Sequence, residues 1–102
     1  MSDRYTNESQ QRIIKLVLFL FNDVAFGYPP AVLAREMNCS AAVMTRDLNN
    51  LQTAGIAERD ENTGHWRLTP RLPQQALKAL SSLDRAERRI AEVRQRLTRN
   101  PD

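Results

Sequence analysis

The chain has 102 residues and a net charge of +3, which allows one domain with a modest single core and leaves no room beside it for a separate catalytic domain. Its single cysteine, Cys39, and single histidine, His65, exclude an internal disulfide and supply no recognisable zinc set. The most apolar run, LVLFLF at 16–21, is too short to span a bilayer, and the opening MSDRYTNESQ lacks the basic and apolar regions of a signal peptide; the expectation is a soluble, cytoplasmic protein with no membrane partner.

Charge is unevenly placed. Residues 1–34 carry three basic and three acidic groups, residues 35–69 carry four against five, and residues 70–102 carry eight against four. The excess therefore lies in the last third. Such a balance suits a nucleic-acid partner, and it equally suits a helix with solvated arginines.

In chain order, Asn7 and Gln10 fit a capping box ahead of Ile13, Ile14, Leu16, Val17, Leu18, Phe19, Leu20, Phe21 and Val24. Six consecutive apolar residues cover every side of a helix, whereas a surface helix needs only a stripe. The second side must be covered by the C-terminal helix of the same chain or by a second copy, and Leu18, Phe19 and Phe21 are assigned to a dimer interface. Gly27, Tyr28, Pro29 and Pro30 break the pattern. A short helix follows, with Leu33, Ala34 and Met37 on its apolar face and Asn38 as a left-handed stop.

Ser40 caps the next helix, which Gly55 ends. Ala41, Met44, Leu48 and Leu51, three or four residues apart, line its inward face. Ala42, Thr45, Arg46, Asn49 and Thr53 point away. Two helices joined by a tight connection, the second small and polar outside, form a helix-turn-helix pattern. In that arrangement Arg can donate two bonds to guanine and Asn can pair with adenine; the alternative is an ordinary solvated face.

The stretch from Ile56 to Leu68 then reads as a two-stranded ribbon. Its turn, Glu61 to Gly64, offers Asn62 and Gly64 for positive backbone angles. Trp66 is expected to anchor the ribbon to the core, the alternative being a platform on which a base stacks, while His65 and Arg67 take outward positions. A ribbon directly after a helix-turn-helix is a wing. The fold class expected is mainly α, a winged helix-turn-helix over 1–72 with a two-stranded β wing, followed by a long C-terminal helix over 73–102.

With those residues in view, the segment from about Ile13 to Leu77 resembles the DNA-binding domain of IclR-type transcriptional regulators. The resemblance is carried by Leu33 to Glu36, by Arg46, Leu48, Leu51 and Gly55, and by Glu58, Arg59, Asp60, Thr63, Gly64, Arg67, Leu68, Pro70, Arg71 and Leu72. It implies binding of double-stranded DNA through Ser40, Ala42, Thr45, Arg46 and Asn49 in the major groove. Asn62, Thr63, Gly64 and His65 would lie near the backbone or minor groove, with Arg67 beside them. The sequence departs from the family pattern at Ala41, Ala42 and Val43, where lysine and serine or threonine are frequent. It also lacks the effector-binding domain that follows in that family, so no small-molecule effector is expected.

In its place QQALKALSSLDRAERRIAEVRQRLTR, residues 74–99, reads as helix. Ala76, Leu83, Ile90 and Leu97 recur every seven residues, with Ala79, Ala86 and Val93 between them. Leu83, Ala86, Ile90, Val93 and Leu97 are assigned to a homodimer seam, the alternative being a helix folded back onto LVLFLF. Leu77 and Leu80 are expected to pack on the winged helix, and a break at Ser81 and Ser82 is suggested by the capping pattern of Asp84 and Glu87. Cys39 reads as a buried small apolar residue. No catalytic constellation, phosphate-binding glycine loop or cofactor signature is found. The function expected is a homodimeric transcriptional regulator reading a palindromic site, and the alternative is a winged helix that binds protein, such as an adaptor or a phage or mobile-element factor.

Overall fold

The computed structural model describes residues 4–99. Its elements are α1 (Glu8–Leu20), a short 3-10 turn (Phe21–Asp23), α2 (Pro30–Glu36), α3 (Ala41–Thr53), β1 (Ala57–Arg59), β2 (Trp66–Leu68) and α4 (Arg71–Thr98). This is a mainly helical winged-helix fold with a two-stranded hairpin and a long C-terminal helix. Among the described residues no helix is long and apolar enough to cross a membrane.

Asn7 begins α1, its Oδ1 accepting the Gln10 N–H at 3.0 Å. Leu16 and Leu20, four residues apart, are fully buried, and Ile13, Val17 and Phe19 pack against the same core. Phe19, assigned from the sequence to a dimer interface, turns inward, because Tyr28 offers it a ring at 4.8 Å between centroids. Ile14, Leu18 and Phe21 lie on the other side of the helix line and stay exposed, Leu18 by 63%.

The helix-turn-helix is shaped by two matching stops. Pro30 opens α2, where its missing N–H costs nothing. The helix ends with Asn38 at φ 53°, the Cys39 N–H reaching Ala34 O and the Asn38 N–H reaching Arg35 O. Gly55 ends α3 at φ 75° with the same bond pair, Ile56 to Leu51 and Gly55 to Gln52. These are Schellman caps, which turn the chain sharply while satisfying the last carbonyls. Between them Ser40 Oγ accepts the Val43 N–H at 3.1 Å to start α3.

Met44, Leu48 and Leu51 line the buried side of α3 together with Leu33 and Ala34 of α2. Ala41, which helical spacing also places on that side, is exposed, because it sits in the first turn, before α3 reaches the core. Cys39 is half-buried against the core.

The hairpin pairs Ala57 with Leu68, Glu58 with Arg67 and Arg59 with Trp66. Strand alternation sends Ala57, Trp66 and Leu68 inward, so Trp66 is the anchor that its position suggests. A contact that spacing does not reveal extends the ribbon: the Tyr28 N–H donates to Trp66 O at 3.0 Å, and the Trp66 N–H donates to Tyr28 O at 2.8 Å. This bridge brings Gly27, at φ 73°, so near β2 that a Cβ there would lie 2.1 Å from Trp66 O.

α4 differs most from expectation. It starts at Arg71 rather than Gln74, because Pro73 falls in the first turn, where proline is tolerated. No break occurs at Ser81 and Ser82; the Ser82 hydroxyl donates to Ala79 O at 2.8 Å within the running helix. The Asp84 and Glu87 capping pattern therefore lies unused in a helix interior. Leu77 and Leu80 do not pack on the winged helix, being 63% and 59% exposed, since α4 leaves the domain after Leu72, which does touch the core. Nor does α4 fold back onto α1: it has no buried residue, and the molecule extends 73 × 41 × 21 Å.

Two glycines with similar backbone angles should respond differently to a methyl group. Gly27→Ala is expected to cost about 2 to 4 kcal/mol through combined clash and strain. Gly64→Ala, whose added Cβ meets only the end of the Arg59 side chain at 3.4 Å, should cost about 1 kcal/mol. Urea denaturation of both variants measures this, and equal costs would remove the close approach at Trp66 as the cause.

Candidate nucleic-acid interface

α3 is held from behind by an ion pair between residues far apart in the sequence. The Arg12 guanidinium of α1 donates to Asp47 through Nε at 2.6 Å and Nη2 at 3.1 Å, a bidentate fork. Asp47 is 7% exposed at its side chain and Arg12 20%. The bond to Asp47 pushes the Arg12 pKa upward, so the guanidinium stays charged. Sequence reasoning missed this pair, although one signal exists: Asp47 lies three residues after Met44 and four before Leu51, which places a carboxylate on the buried side.

With Met44, Asp47, Leu48 and Leu51 turned inward, Ala42, Thr45, Arg46 and Asn49 form the exposed side of α3. Ser40, also exposed, stands at its start. The Thr45 hydroxyl donates to Ala41 O at 3.0 Å, leaving oxygen lone pairs to accept from a partner. Ser40 Oγ accepts from the backbone as a cap, leaving its hydroxyl proton to donate. Asn50 Nδ2 donates to Arg46 O at 2.9 Å and stiffens the turn that carries Arg46. Among the described residues the Arg46 guanidinium has no carboxylate partner.

The wing is organised by Asp60. Its Oδ1 accepts the Asn62 and Thr63 N–H groups at 2.8 and 3.1 Å, and its Oδ2 takes Arg67 Nη1 at 2.8 Å. The Asp60 backbone closes the loop, donating to His65 O at 2.8 Å and accepting from Gly64 N at 2.7 Å. The Thr63 hydroxyl oxygen accepts the His65 N–H at 3.2 Å. Arg67, followed by the Thr63 and Asn62 amides, holds the Asp60 carboxyl down to about 2. Of the two residues suited to a positive backbone angle in this turn, Asn62 and Gly64, only Gly64 adopts one, at φ 78°, because Asp60 builds the rest of the turn with its side chain.

Arg67 is placed differently from the sequence expectation of a DNA contact. It bridges Asp60 and Glu58, the latter at 2.9 Å, and both carboxylates push its pKa upward, Asp60 first. Its donors are turned to the wing itself. Asn62, Thr63, Gly64 and His65 remain together at the tip, with Asn62 and Thr63 exposed and Gly64 and His65 half-buried. Arg59, exposed on β1, is the wing cation without a carboxylate partner among the described residues. No group of three His, Cys, Asp or Glu residues is placed to hold a metal among the described residues.

No family model matches the chain, and no curated protein matches it. Among solved structures, Pseudomonas aeruginosa HmgR superposes with a TM-score of 0.64 and 24% identity over 76% of this chain. That covers 33% of HmgR, so the match spans about a third of its length. Two structures of Lactococcus lactis ZitR, each of a single-residue mutant, align over 96% of this chain and 77% of their own. Their identities are 21% and 22%, with TM-scores of 0.45 and 0.43. The likeness to HmgR establishes the winged-helix fold.

The ion pairs carry consequences for stability. Arg12→Ala should lower the urea midpoint more than Asp47→Ala, since it strands the more deeply buried charge, whereas a guanidinium left alone can reach water. The reverse order would show that the pair is not set by carboxylate burial. Separately, a folded pKa of about 2 against an ordinary 3.8 means that Asp60 stabilises the wing fully above pH 3.8 and loses that contribution as pH falls to 2. The Asn62 and Thr63 amide resonances should titrate with a midpoint near 2 and not near 4.

Proposed function

We propose that this chain is a sequence-specific reader of double-stranded DNA, an IclR-type winged helix that acts in transcription regulation as a homodimer. The observation that carries the reading is Arg46: an exposed guanidinium without a carboxylate partner among the described residues, on the outward side of a helix whose inward side is fixed by Met44, Leu48, Leu51 and the Asp47 pair. In a major groove it would meet guanine O6 and N7, with Asn49 about one helical turn further along suited to adenine. Ser40 and Thr45 would complete the contacts, Ala42 leaves room for close approach, and Asn62, Thr63, Gly64 and His65 would meet the backbone from the wing. Arg59 takes the role that the family resemblance implies for Arg67, because Arg67 is held by Asp60 and Glu58.

The homodimer reading is supported by uncovered apolar residues in two places. Leu83, Ile90 and Leu97 of α4 are 60%, 58% and 80% exposed, and Val93 joins Ile90 and Leu97 in an apolar groove. Ile14, Leu18 and Phe21 form the second patch, on and just after α1. Such rows usually mark an interaction surface. A two-fold pair of winged helices would read half-sites about one DNA turn apart.

A protein-binding winged helix is the second reading, favoured by the five acidic against four basic groups in residues 35–69 and by Ala41 and Ala42 on the α3 surface. Selection from random duplex DNA distinguishes the two. Enrichment of a palindromic motif by wild type, with Arg46→Ala losing about 1 to 3 kcal/mol on that site, is the expected result. A motif bound equally well by the variant would take Arg46 out of base reading, and the absence of any motif would favour the protein partner.

A further inference from the structure

Phosphate contacts commonly supply much of the affinity of a DNA reader, yet the winged helix has few cations to offer. Arg12 is turned to Asp47, and Arg67 to Asp60 and Glu58. The surplus lies on α4, where it is ordered. At about 100° per residue, Lys78, Arg85, Arg89 and Arg96 fall within roughly 40° of one another around the helix. Arg88 and Arg99 flank this row on one side. All six are exposed.

Within that sector the one carboxylate is Glu92, 3.6 Å from Arg89 in an exposed pair, a contact of little strength. Asp84 and Glu87 fall outside it by the same helical count. The row runs beside the apolar stripe of Leu83, Ile90 and Leu97, whose centre lies roughly 120° further round, and meets it at Arg89, which lines the groove of Ile90, Val93 and Leu97. A second copy seated on the stripe would leave Lys78, Arg85 and Arg96 open to solvent, with Arg89 at the edge of the groove. From Lys78 to the flanking Arg99, at the end of the helix, these cations span about 32 Å, close to the roughly 34 Å of one duplex turn. Of the row and its two flanking residues, all but Lys78 are arginines, whose planar forks suit phosphate oxygens.

We propose that this row on α4 is a second DNA-contacting surface, one that binds the phosphate backbone of duplex DNA without reading its sequence. It supplies the electrostatic attraction that the near-neutral winged helix lacks, while α3 supplies the discrimination. The inference rests on the DNA-binding reading above.

The test is the salt dependence of binding to a long random-sequence duplex, followed by fluorescence anisotropy, for the full chain and for K78Q/R85Q/R89Q/R96Q. Circular dichroism checks that α4 remains helical, and K78Q/R85Q and R89Q/R96Q serve as smaller variants if it does not. For every phosphate that the protein ceases to neutralise, the slope of log K against log salt should fall by about 0.9, so the fourfold variant should lose about 3 to 4 and each double variant about 2. Arg89→Gln should reduce the slope, whereas Arg94→Gln, which removes the same charge on the opposite side of the apolar groove that both arginines line, should not. Equal reductions at both positions would overturn the row as the binding surface. Wild-type binding to DNA with slopes unchanged in the row variants would overturn it and leave the DNA reading intact. No salt-sensitive duplex binding by wild type would overturn both. Wild-type binding to phosphatidylserine vesicles that the row variants lose, with DNA slopes unchanged, would overturn the DNA role of the row and assign it to a lipid surface instead.

Discussion

The antiparallel hydrogen bonds between Tyr28 and Trp66 are the constraint on which the placement of the helix-turn-helix and the wing depends. They tie the segment that leaves α1 to the second strand of the hairpin, two places far apart in sequence. The bridge requires Gly27, because a side chain there would occupy the space of the Trp66 carbonyl. Trp66 also sends its indole into the core formed by Leu16, Leu20, Leu33, Met44 and Leu48. One residue thus fixes the wing through its backbone and its side chain together. A two-stranded ribbon of three-residue strands is marginal by itself; joined to Tyr28 and anchored by Trp66, it becomes part of the domain.

Electrostatics inside the domain follow a different logic from electrostatics on its surface. Asp47, Asp60 and Glu58 each meet an arginine within 3 Å, and these pairs set geometry: Arg12 locks α1 against α3, and Arg67 with Asp60 shapes the wing tip. Charges used in this way are unavailable to a polyanion. A net charge therefore says little about binding until it is divided into cations that hold the fold and cations that face solvent. Here the second group is concentrated on α4, where the helix has left the core.

α4 itself is stable for reasons that the domain supplies only in part. Its first turn is seeded by Leu72 on the core and by the Arg71 guanidinium, which donates to Ala54 O at 3.3 Å at the end of α3. Beyond that the helix rests on good helix formers such as Ala, Leu, Arg, Glu and Gln, with an apolar stripe left uncovered. A long helix with such a stripe gains further stability when the stripe is buried, which links the dimer proposal to the rigidity of the arm that carries the basic row.

Much was legible in the residues alone. Ser40, Gly55 and Asn38 marked helix ends because caps and left-handed stops depend on local chemistry, and Trp66 and Leu68 declared the inward side of the wing by strand alternation. The exposed side of α3, including Thr45, Arg46 and Asn49, was likewise readable from helical spacing. What spacing could not reveal was partnership across the fold. Phe19 belonged to the core because Tyr28 stood beside it, Arg67 faced the wing because Asp60 and Glu58 converged on it, and Leu77 and Leu80 stayed exposed because α4 departed from the domain. Local sequence determined where helices and strands begin, end and turn their apolar sides, since those preferences act over a few residues. Only the tertiary structure decided which charges were consumed in pairs and which apolar residues were left uncovered, since both depend on groups brought together from distant parts of the chain.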